Sequence, residues 1–443
     1  MERTLIKNLG GKVGKEVSIS GWVDVRRDHG KLVFIDFRDM SGIIQAVALP
    51  SHAEAHALAQ KLRPEWVVTV SGKVNKRPEK MVKAGILNGD IELEIENVEV
   101  ISEAQELPFE KDTELNLDTY LDYLPLTLRT ERAKDVFKVQ VAIIDEFRNA
   151  LKEQMFTEFQ APALVGGDAE GGAAAFTVDY YYDQKAYLAT SPQFYKQIMV
   201  GVFERVFSTP KVFRGEKHAT TRHLSEYSSL DFEMGFIKDH TDVMGVLEGV
   251  IHRIALRMEK DCAEAFKFLD APLPLMPDKI PVLKLREAQE ILEKEFGAKA
   301  LGEPDLEPEH ERQICEWALK NHGSDFIFIT HYPVSKRPFY TYEDEADPGF
   351  TKSFDLLFRG LEITTGGQRV HSYDSLVERL KSKGLKPEQF SYYLQAFKYG
   401  MPPHGGSATG LERITARMLL LPNVKEATLF PRDINRIDTR LSQ

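Results

Sequence analysis

Three short segments carry the residues best suited to chemistry. The first is Val212-Phe213-Arg214-Gly215-Glu216, running on through Thr221-Arg222-His223-Leu224 to Glu226-Tyr227; the others are Gly360-Leu361-Glu362 and Gly410-Leu411-Glu412-Arg413. Arginine supplies a planar, permanently charged fork that matches phosphate oxygens, and glycine lets the backbone approach a ligand closely. The chain has no Gly-x-x-x-x-Gly-Lys-Ser/Thr loop, so a nucleotide would have to be held by side chains instead of a backbone cradle. None of the 12 histidines falls in a His-Glu-x-x-His pattern, and two cysteines, Cys262 and Cys315, are too few for a disulfide framework or a four-cysteine zinc site. A reducing, cytoplasmic setting is expected.

The elements that must position these segments fall into two parts. Over residues 1–104 the pattern is of short strands. Val17, Ile19, Val23 and Val25 alternate with polar or small neighbours; Val33, Ile35 and Phe37 repeat the period, followed by Ile43, Gln45, Val47 and Leu49. Trp66-Val67-Val68-Thr69-Val70 makes a fourth strand and Ile91, Leu93 and Ile95 a fifth, with a helical stretch from Ala53 to Leu62 before the fourth. Five strands in that order predict an OB-fold barrel, a fold that commonly binds single-stranded nucleic acid on one face.

Residues 105–131, with Pro108 and Pro125, read as a hinge. From there Val136, Val139, Ile143, Phe147 and Leu151 recur every three or four residues, marking an amphipathic helix and the start of an α+β domain over 132–443. Further strands are expected at 176–182, 211–216, 228–237, 325–331 and 361–365. Helices are expected near 193–203, 240–259, 285–296, 308–321, 374–382 and 387–398. The stretch 262–324, rich in Pro, Glu and Lys, reads as a peripheral insertion without chemistry of its own.

The 443 residues, 42% hydrophobic, suffice for two to four domains with buried cores. No run reaches the ~18 apolar residues of a membrane span, and the start, Met1-Glu2-Arg3-Thr4-Leu5-Ile6-Lys7, lacks the apolar region of a secretory signal, so export and membrane insertion are not expected. A net charge of −11 argues against coating nucleic acid electrostatically, though not against a local basic groove. Residues 1–104 balance 15 Lys and Arg against 15 Asp and Glu, so the acidic surplus lies wholly in the second part.

Taken together, these segments resemble the class II aminoacyl-tRNA synthetases over nearly the whole chain. The helix near 134–153 with Pro162 resembles the dimerisation motif of that class, Phe213-Arg214-Gly215-Glu216 through Asp231-Phe232-Glu233 its second motif, and Gly410-Leu411-Glu412-Arg413 its third. The N-terminal OB domain narrows the resemblance to the subgroup handling aspartate, asparagine or lysine. It implies a six-stranded antiparallel sheet flanked by helices, a homodimer, ATP as co-substrate and magnesium. Thr220-Thr221-Arg222-His223-Leu224, and the lack of a large insertion between motifs two and three, are similar to the archaeal and eukaryotic type. Ala161-Pro162, the loop Val165-Gly166-Gly167-Asp168-Ala169 and Gly406-Ser407-Ala408-Thr409-Gly410 depart from the family pattern.

Within the subgroup, Ser191-Pro192-Gln193-Phe194-Tyr195-Lys196-Gln197 and Gly366-Gly367-Gln368-Arg369 are similar to the substrate segments of aspartyl enzymes. A free carboxylate side chain wants cationic partners, and Lys196 with Arg369 would supply them; lysine would be repelled and asparagine would gain less. The resemblance further implies that Arg214 contacts the α-phosphate and substrate carboxylate and that Glu216 meets the adenine edge, with Gly215 also in the nucleotide site. Tyr227 would stack on adenine, while Arg222, His223 and Arg413 hold the outer phosphates, with Leu224 also in the nucleotide site. Glu362 would bind magnesium with Asp355 and Thr365. Glu170, Gln193 and Asp231 would receive the substrate ammonium, with His404 lining the same site. Arg214, Glu362 and Arg413 are thus the expected catalytic residues. In the barrel, Phe34 is a candidate to stack an anticodon base, Gln45 to read an edge, and Arg26 or Arg27 to meet phosphate. The expected activity is ATP-dependent attachment of L-aspartate to tRNA(Asp), with tRNA(Asn) left open. An asparaginyl enzyme and a synthetase-derived protein without catalysis stand as alternatives.

Overall fold

The computed structural model describes residues 1–110, 113–167, 174–217 and 220–441. The chain divides between Glu114 and Leu115 into two compact units.

The first unit is a closed five-stranded barrel. Its strands are β1 (Glu16–Asp28), β2 (Val33–Asp39) and β3 (Gly42–Ala48), then, after helix α1 (Ala53–Ala59), β4 (Val67–Lys76) and β5 (Ile91–Ser102), joined in the order β1-β2-β3-β5-β4. Strand alternation sends Ile19, Val33, Ile35, Phe37, Val70 and Leu93 into one dry core. The same alternation turns Phe34 and Gln45 outward.

The second unit opens with α2 (Leu117–Asp122), α3 (Leu124–Thr127) and α4 (Glu131–Glu153). Residues 115–131 are therefore not a hinge but part of this unit, with Leu121 and Leu124 buried and Asp122 bonded to Arg436 at 2.5 Å. Thr130 caps α4 by accepting the Ala133 N–H, and the helix buries the apolar stripe read from its spacing. After it come β6 (Thr157–Glu158), β7 (Leu164–Val165), β8 (Thr177–Asp179), β9 (Lys185–Leu188), α5 (Gln193–Phe203), β10 (Arg205–Ser208), β11 (Lys211–Phe213) and β12 (Glu226–Gly235). Next are α6 (His240–Asp261), α7 (Ala263–Phe268), β13 (Val282–Lys284), α8 (Leu285–Phe296), α9 (Pro308–His322), β14 (Phe326–Thr330), β15 (Ser353–Phe358) and β16 (Leu361–Arg369). The unit ends with α10 (Tyr373–Ser382), α11 (Ser391–Lys398), β17 (His404–Gly410) and α12 (Leu411–Met418).

The sheet runs β13-β14-β15-β16-β17-β12-β10-β6, with β11 paired to β12. Its middle six strands, β14 to β10, are antiparallel, as the resemblance implies, but β13 and β6 add a parallel strand at each edge, so the sheet is mixed. The expected strands at 211–216 and 176–182 shrink to β11 and β8, and the latter joins a separate small sheet in the order β7-β9-β8. Two central strands, β15 and β17, have no counterpart in the sequence reading. β15 is buried on both faces, so its residues do not alternate. β17 reads His-Gly-Gly-Ser-Ala-Thr-Gly, and its pairing depends on missing side chains: a Cβ on Gly406 would lie 2.1 Å from the Phe232 carbonyl oxygen. The 262–324 stretch is integrated through β13 and α9 and does reach the cleft, as shown below.

Candidate active site

One cleft of about 370 Å³ opens over β12, β16 and β17. Among the described residues its walls carry Lys196, Arg214, Arg222, Lys336, Arg337, Arg369 and Arg413 against Asp305, Asp355, Glu362 and Glu412. Three further carboxylates, Asp231, Glu233 and Glu311, lie directly behind Lys196, Arg369 and Arg222, so the cleft is a charge-balanced network whose wall presents mainly donors.

At the deep end α5 delivers Lys196 and β16 delivers Arg369, both buried. Lys196 Nζ donates to Asp231 Oδ2 at 2.9 Å and to the Ser407 carbonyl at 3.1 Å, with Glu233 Oε2 at 3.4 Å. Arg369 Nε donates to Glu233 Oε1 at 2.9 Å and Nη2 to the Gly406 carbonyl at 3.0 Å. Burial pushes the Glu233 carboxyl upward, but Arg369 and Lys196 outweigh it and hold the group below its ordinary value. The two cations expected to meet a substrate carboxylate are therefore both already paired. Each is matched by a buried carboxylate, because an unpaired charge at this depth costs several kcal/mol. Selectivity for an anionic side chain must come from the donors' positions more than from net charge.

Behind this pair lies a chain of oriented hydrogen bonds. His404 Nδ1 donates to the Pro402 carbonyl at 2.9 Å, which leaves Nε2 to accept from Gln197 Nε2 at 2.9 Å. Burial lowers the His404 pKa to about 4, so the ring is neutral, as this arrangement requires. Gln197 Oε1 then accepts from Tyr393 Oη and from Gln193 Nε2, each at 3.0 Å. Gln193 lines the cleft with its amide nitrogen already committed, which reserves its carbonyl oxygen for an incoming donor.

The shallower end is built by the β11–β12 hairpin. Val212 pairs with Tyr227 and Phe213 with Glu226, which brings Arg214 beside Tyr227, its guanidinium 5.6 Å from the ring centre. The Val424 N–H donates to the Thr221 carbonyl at 3.0 Å and secures the following loop, which carries Arg222, His223 and Leu224 on the cleft wall. Arg413, from α12, donates through Nη1 to the Glu362 carbonyl at 3.0 Å. Glu412 caps the Ser228 N–H at 3.0 Å; burial pushes its carboxyl up to about 7.

Asp355 and Thr365 face each other across β15 and β16, and the Thr365 hydroxyl donates to Glu362 Oε1 at 2.7 Å. Arg337, stacked 3.9 Å above Tyr332, donates to Asp355 Oδ2 at 2.8 Å, while Oδ1 is buried with no hydrogen-bond partner among the described residues. Burial drives the Asp355 carboxyl up to about 6, against Arg337, and Glu362 adds to the rise. Two neighbouring carboxylates, one with an orphaned oxygen, plus a hydroxyl suit a hard divalent cation that also takes phosphate oxygens.

Several expected contacts fall elsewhere. Phe194 stacks on Tyr393 at 4.3 Å in an aromatic cluster, and Leu411 is core. Asp231 and His404 act from beneath, through Lys196 and Gln197, instead of lining the cleft. Tyr195, Gly215 and Glu216 are not on its described wall, and the Gly215 N–H is taken by the Ala174 carbonyl at 2.6 Å. Glu170, with Gly171 and Gly172, lies outside the described residues. Sequence reasoning missed Arg337 and Glu311, the latter bonded to Arg222. In the barrel, Arg27 pairs in register with Phe34 and forks onto Asp36 with two 2.9 Å bonds, while Asp36 faces Gln45, so Arg27, Phe34 and Gln45 share an outer face. Arg26 does not join them; it reaches the Gln60 carbonyl at 2.5 Å.

The family description "tRNA synthetases class II (D, K and N)" matches residues 116–434, and "OB-fold nucleic acid binding domain" matches residues 17–101. An aspartate–tRNA(Asp/Asn) ligase of Thermus thermophilus is 46% identical over 439 residues, covering 98% of this chain and 99% of its own. An aspartate–tRNA(Asp) ligase of Pyrococcus abyssi is 38% identical over 430 residues, 96% of each. Among solved structures, an asparaginyl-tRNA synthetase of Pyrococcus horikoshii with asparaginyl-adenylate superposes with a TM-score of 0.91 at 31% identity, covering 99% of both chains.

Proposed function

The chain belongs to the class II tRNA synthetases of the aspartate, lysine and asparagine group, and from that premise we propose that it attaches L-aspartate to tRNA(Asp) through an aspartyl-adenylate made from ATP. The observation that carries this reading is the joint presence, in one cleft, of Lys196 and Arg369 at the deep end and Arg214, Arg222 and Arg413 at the shallow end. Cations at both ends of one cleft suit a substrate with a carboxylate at each end, one recognised and one activated.

Aspartate's α-carboxylate is already ionised at neutral pH, so its oxygen can attack the α-phosphorus without a general base. A carboxyl oxygen–phosphorus bond forms, the bond to the β-phosphate oxygen breaks, and pyrophosphate leaves with the electron pair. Arg214 would hold the α-phosphoryl oxygens where charge develops, with Tyr227 against the adenine; Arg222, His223 and Arg413 would hold the departing pyrophosphate. Gln193, its carbonyl oxygen oriented by the Gln197–His404 chain, would accept from the substrate ammonium. Asp355, Glu362 and Thr365 would hold Mg²⁺, which supplies charge neutralisation on the phosphates when bound. The ribose hydroxyl at the tRNA terminus then attacks the aspartyl carbonyl and AMP departs. Arg27, Phe34 and Gln45 would meet the anticodon stem-loop.

Two copies would pair through the edge near β6 and α4, where Val141 stands exposed. Both free cysteines are buried, in keeping with a cytoplasmic setting, and among the described residues no helix is long and apolar enough to cross a membrane. An asparaginyl enzyme is supported only by the shared fold, and a non-catalytic descendant is opposed by the assembled arginines. Pyrophosphate exchange measured with aspartate, asparagine and lysine separately tests the reading: aspartate alone should support it, and exchange with asparagine instead would overturn it. Charging of purified tRNA(Asp) and tRNA(Asn) then sets the tRNA range, on which the two named relatives differ.

A further inference from the structure

Glu311 sits in the first turns of α9, within the stretch whose sequence suggested no chemistry, yet its buried carboxylate joins two separate parts of the cleft. Arg222 Nη1 donates to Oε1 and Oε2 at 3.3 and 3.1 Å, and the backbone N–H of Glu362 donates to Oε2 at 3.1 Å. We propose that Glu311 is a positioning residue for ATP: it aims Arg222 at the outer phosphates and fixes the backbone of Glu362. The proposal rests on the aspartate-activating reading above.

The geometry suits holding more than neutralising. A guanidinium has five N–H donors, and a carboxylate gripping it edge-on would use two of its nitrogens. Glu311 instead takes Nη1 alone, and among the described residues no hydrogen-bond partner takes Nη2 or Nε, although Arg222 lines the cleft. One side of the fork is anchored and the other is presented. Arg222 lies in a loop outside any helix or strand, so ordering it before the ligand arrives removes rotamer entropy from the binding step.

The anchor is itself fixed. Gly360, in the turn between β15 and β16, has φ +80°, and a Cβ there would lie 2.9 Å from Arg312 Cγ and 3.3 Å from its Cα, so α9 rests directly on the turn leading to Glu362. The β15–β16 ladder slips register between Leu356 and Leu357, opposite Glu362 and Thr364, and at this bulge the carboxylate of Glu311 takes the Glu362 N–H. A residue remote in sequence from all three motifs thereby ties the second to the strand bearing Glu362.

The test is aspartate-dependent pyrophosphate exchange by the full chain, with Michaelis constants for ATP and aspartate read separately. Glu311→Ala is expected to raise the ATP constant about tenfold or more and to leave that for aspartate within about twofold. Glu311→Gln, which keeps an acceptor but not the charge, should show a smaller rise of at least about threefold. Glu311→Ala combined with Arg222→Ala should cost less than the two single losses multiplied together, because both remove the Arg222 anchor, while the Glu362 contact accounts for any loss beyond Arg222→Ala alone. Equal rises for both substrates, additive losses, or an unchanged ATP constant would each overturn the proposal. If Glu311→Ala does not fold, Glu311→Gln with a native melting curve decides: an ATP constant equal to wild type refutes it. Wild-type protein that fails to exchange with aspartate would instead sink the parent reading.

Discussion

The Lys196 ammonium lies 2.9 Å from Asp231 Oδ2, with both side chains sealed from solvent. The cation assigned to the substrate side chain is therefore also the counter-ion of a buried carboxylate, and Glu233 stands in the same relation to Arg369. Pocket and core are one charge network, so a substitution here has two consequences that must be read apart.

Lys196→Met should raise the Michaelis constant for aspartate by about 100-fold or more, the scale for losing a desolvated charge-assisted contact, while that for ATP stays within about threefold. It should also lower stability by about 3–5 kcal/mol, since Asp231 is left without its cation. Substrate kinetics and urea unfolding of the same variant check both; equal losses for ATP and aspartate would remove Lys196 from the pocket role.

Arg214→Ala removes a half-buried guanidinium that stands over Tyr227 at the cleft, outside the hydrophobic core, so the fold should survive. Pyrophosphate exchange should fall by about 10³ or more, as when a donor to developing negative charge is deleted. Exchange near the wild-type rate in a folded variant would refute the assignment.

Asp355→Asn keeps the shape of the side chain and a carbonyl oxygen for Arg337 but gives up the charge that a divalent cation would use. The Mg²⁺ concentration for half-maximal exchange should rise about tenfold or more, with isothermal titration of Mg²⁺ against the ATP-bound variant weakened in parallel. An unchanged magnesium profile would place the metal elsewhere.

His404 has a native pKa near 4 against about 6.5 when unfolded, so between those values the unfolded chain binds a proton that the native one refuses. Its contribution is intact above pH 6.5, falls by about 1.4 kcal/mol per unit as the pH drops, and levels off below about 4. His240, also lowered to about 4 by burial, acts in the same direction. Unfolding free energies from urea titrations at pH 7.5 and 5 should therefore differ by about 2 kcal/mol less in His404→Gln than in wild type. An identical difference would show that the ring titrates normally.

Phe34→Ala should leave exchange untouched and weaken tRNA use by the ~1–3 kcal/mol of one lost base stack, read as the Michaelis constant for tRNA in charging assays. The barrel should melt as before, because Phe34 points away from the core built by Val33, Ile35 and Phe37. Unchanged charging would leave this face without a role.

What the amino-acid sequence determined by itself was whatever depends on local spacing. The three- and four-residue rhythm of α4, the alternation in β1 to β5 and the three Arg- and Gly-bearing segments were legible because each property lies within a few residues of chain. Tertiary structure decided the rest. β15 and β17 are strands because neighbours on both sides require it: one lacks alternation through burial on both faces, and the other is poor in β-formers, with Gly406 set where Phe232 and Glu233 approach too closely for a side chain. The pairing of Lys196 with Asp231, Arg369 with Glu233, Arg337 with Asp355 and Glu311 with Arg222 joins residues 18 to 136 positions apart. Burial is what makes those pairs obligatory, since a charge removed from water must find its opposite wherever the fold brings one, and no local pattern encodes that meeting.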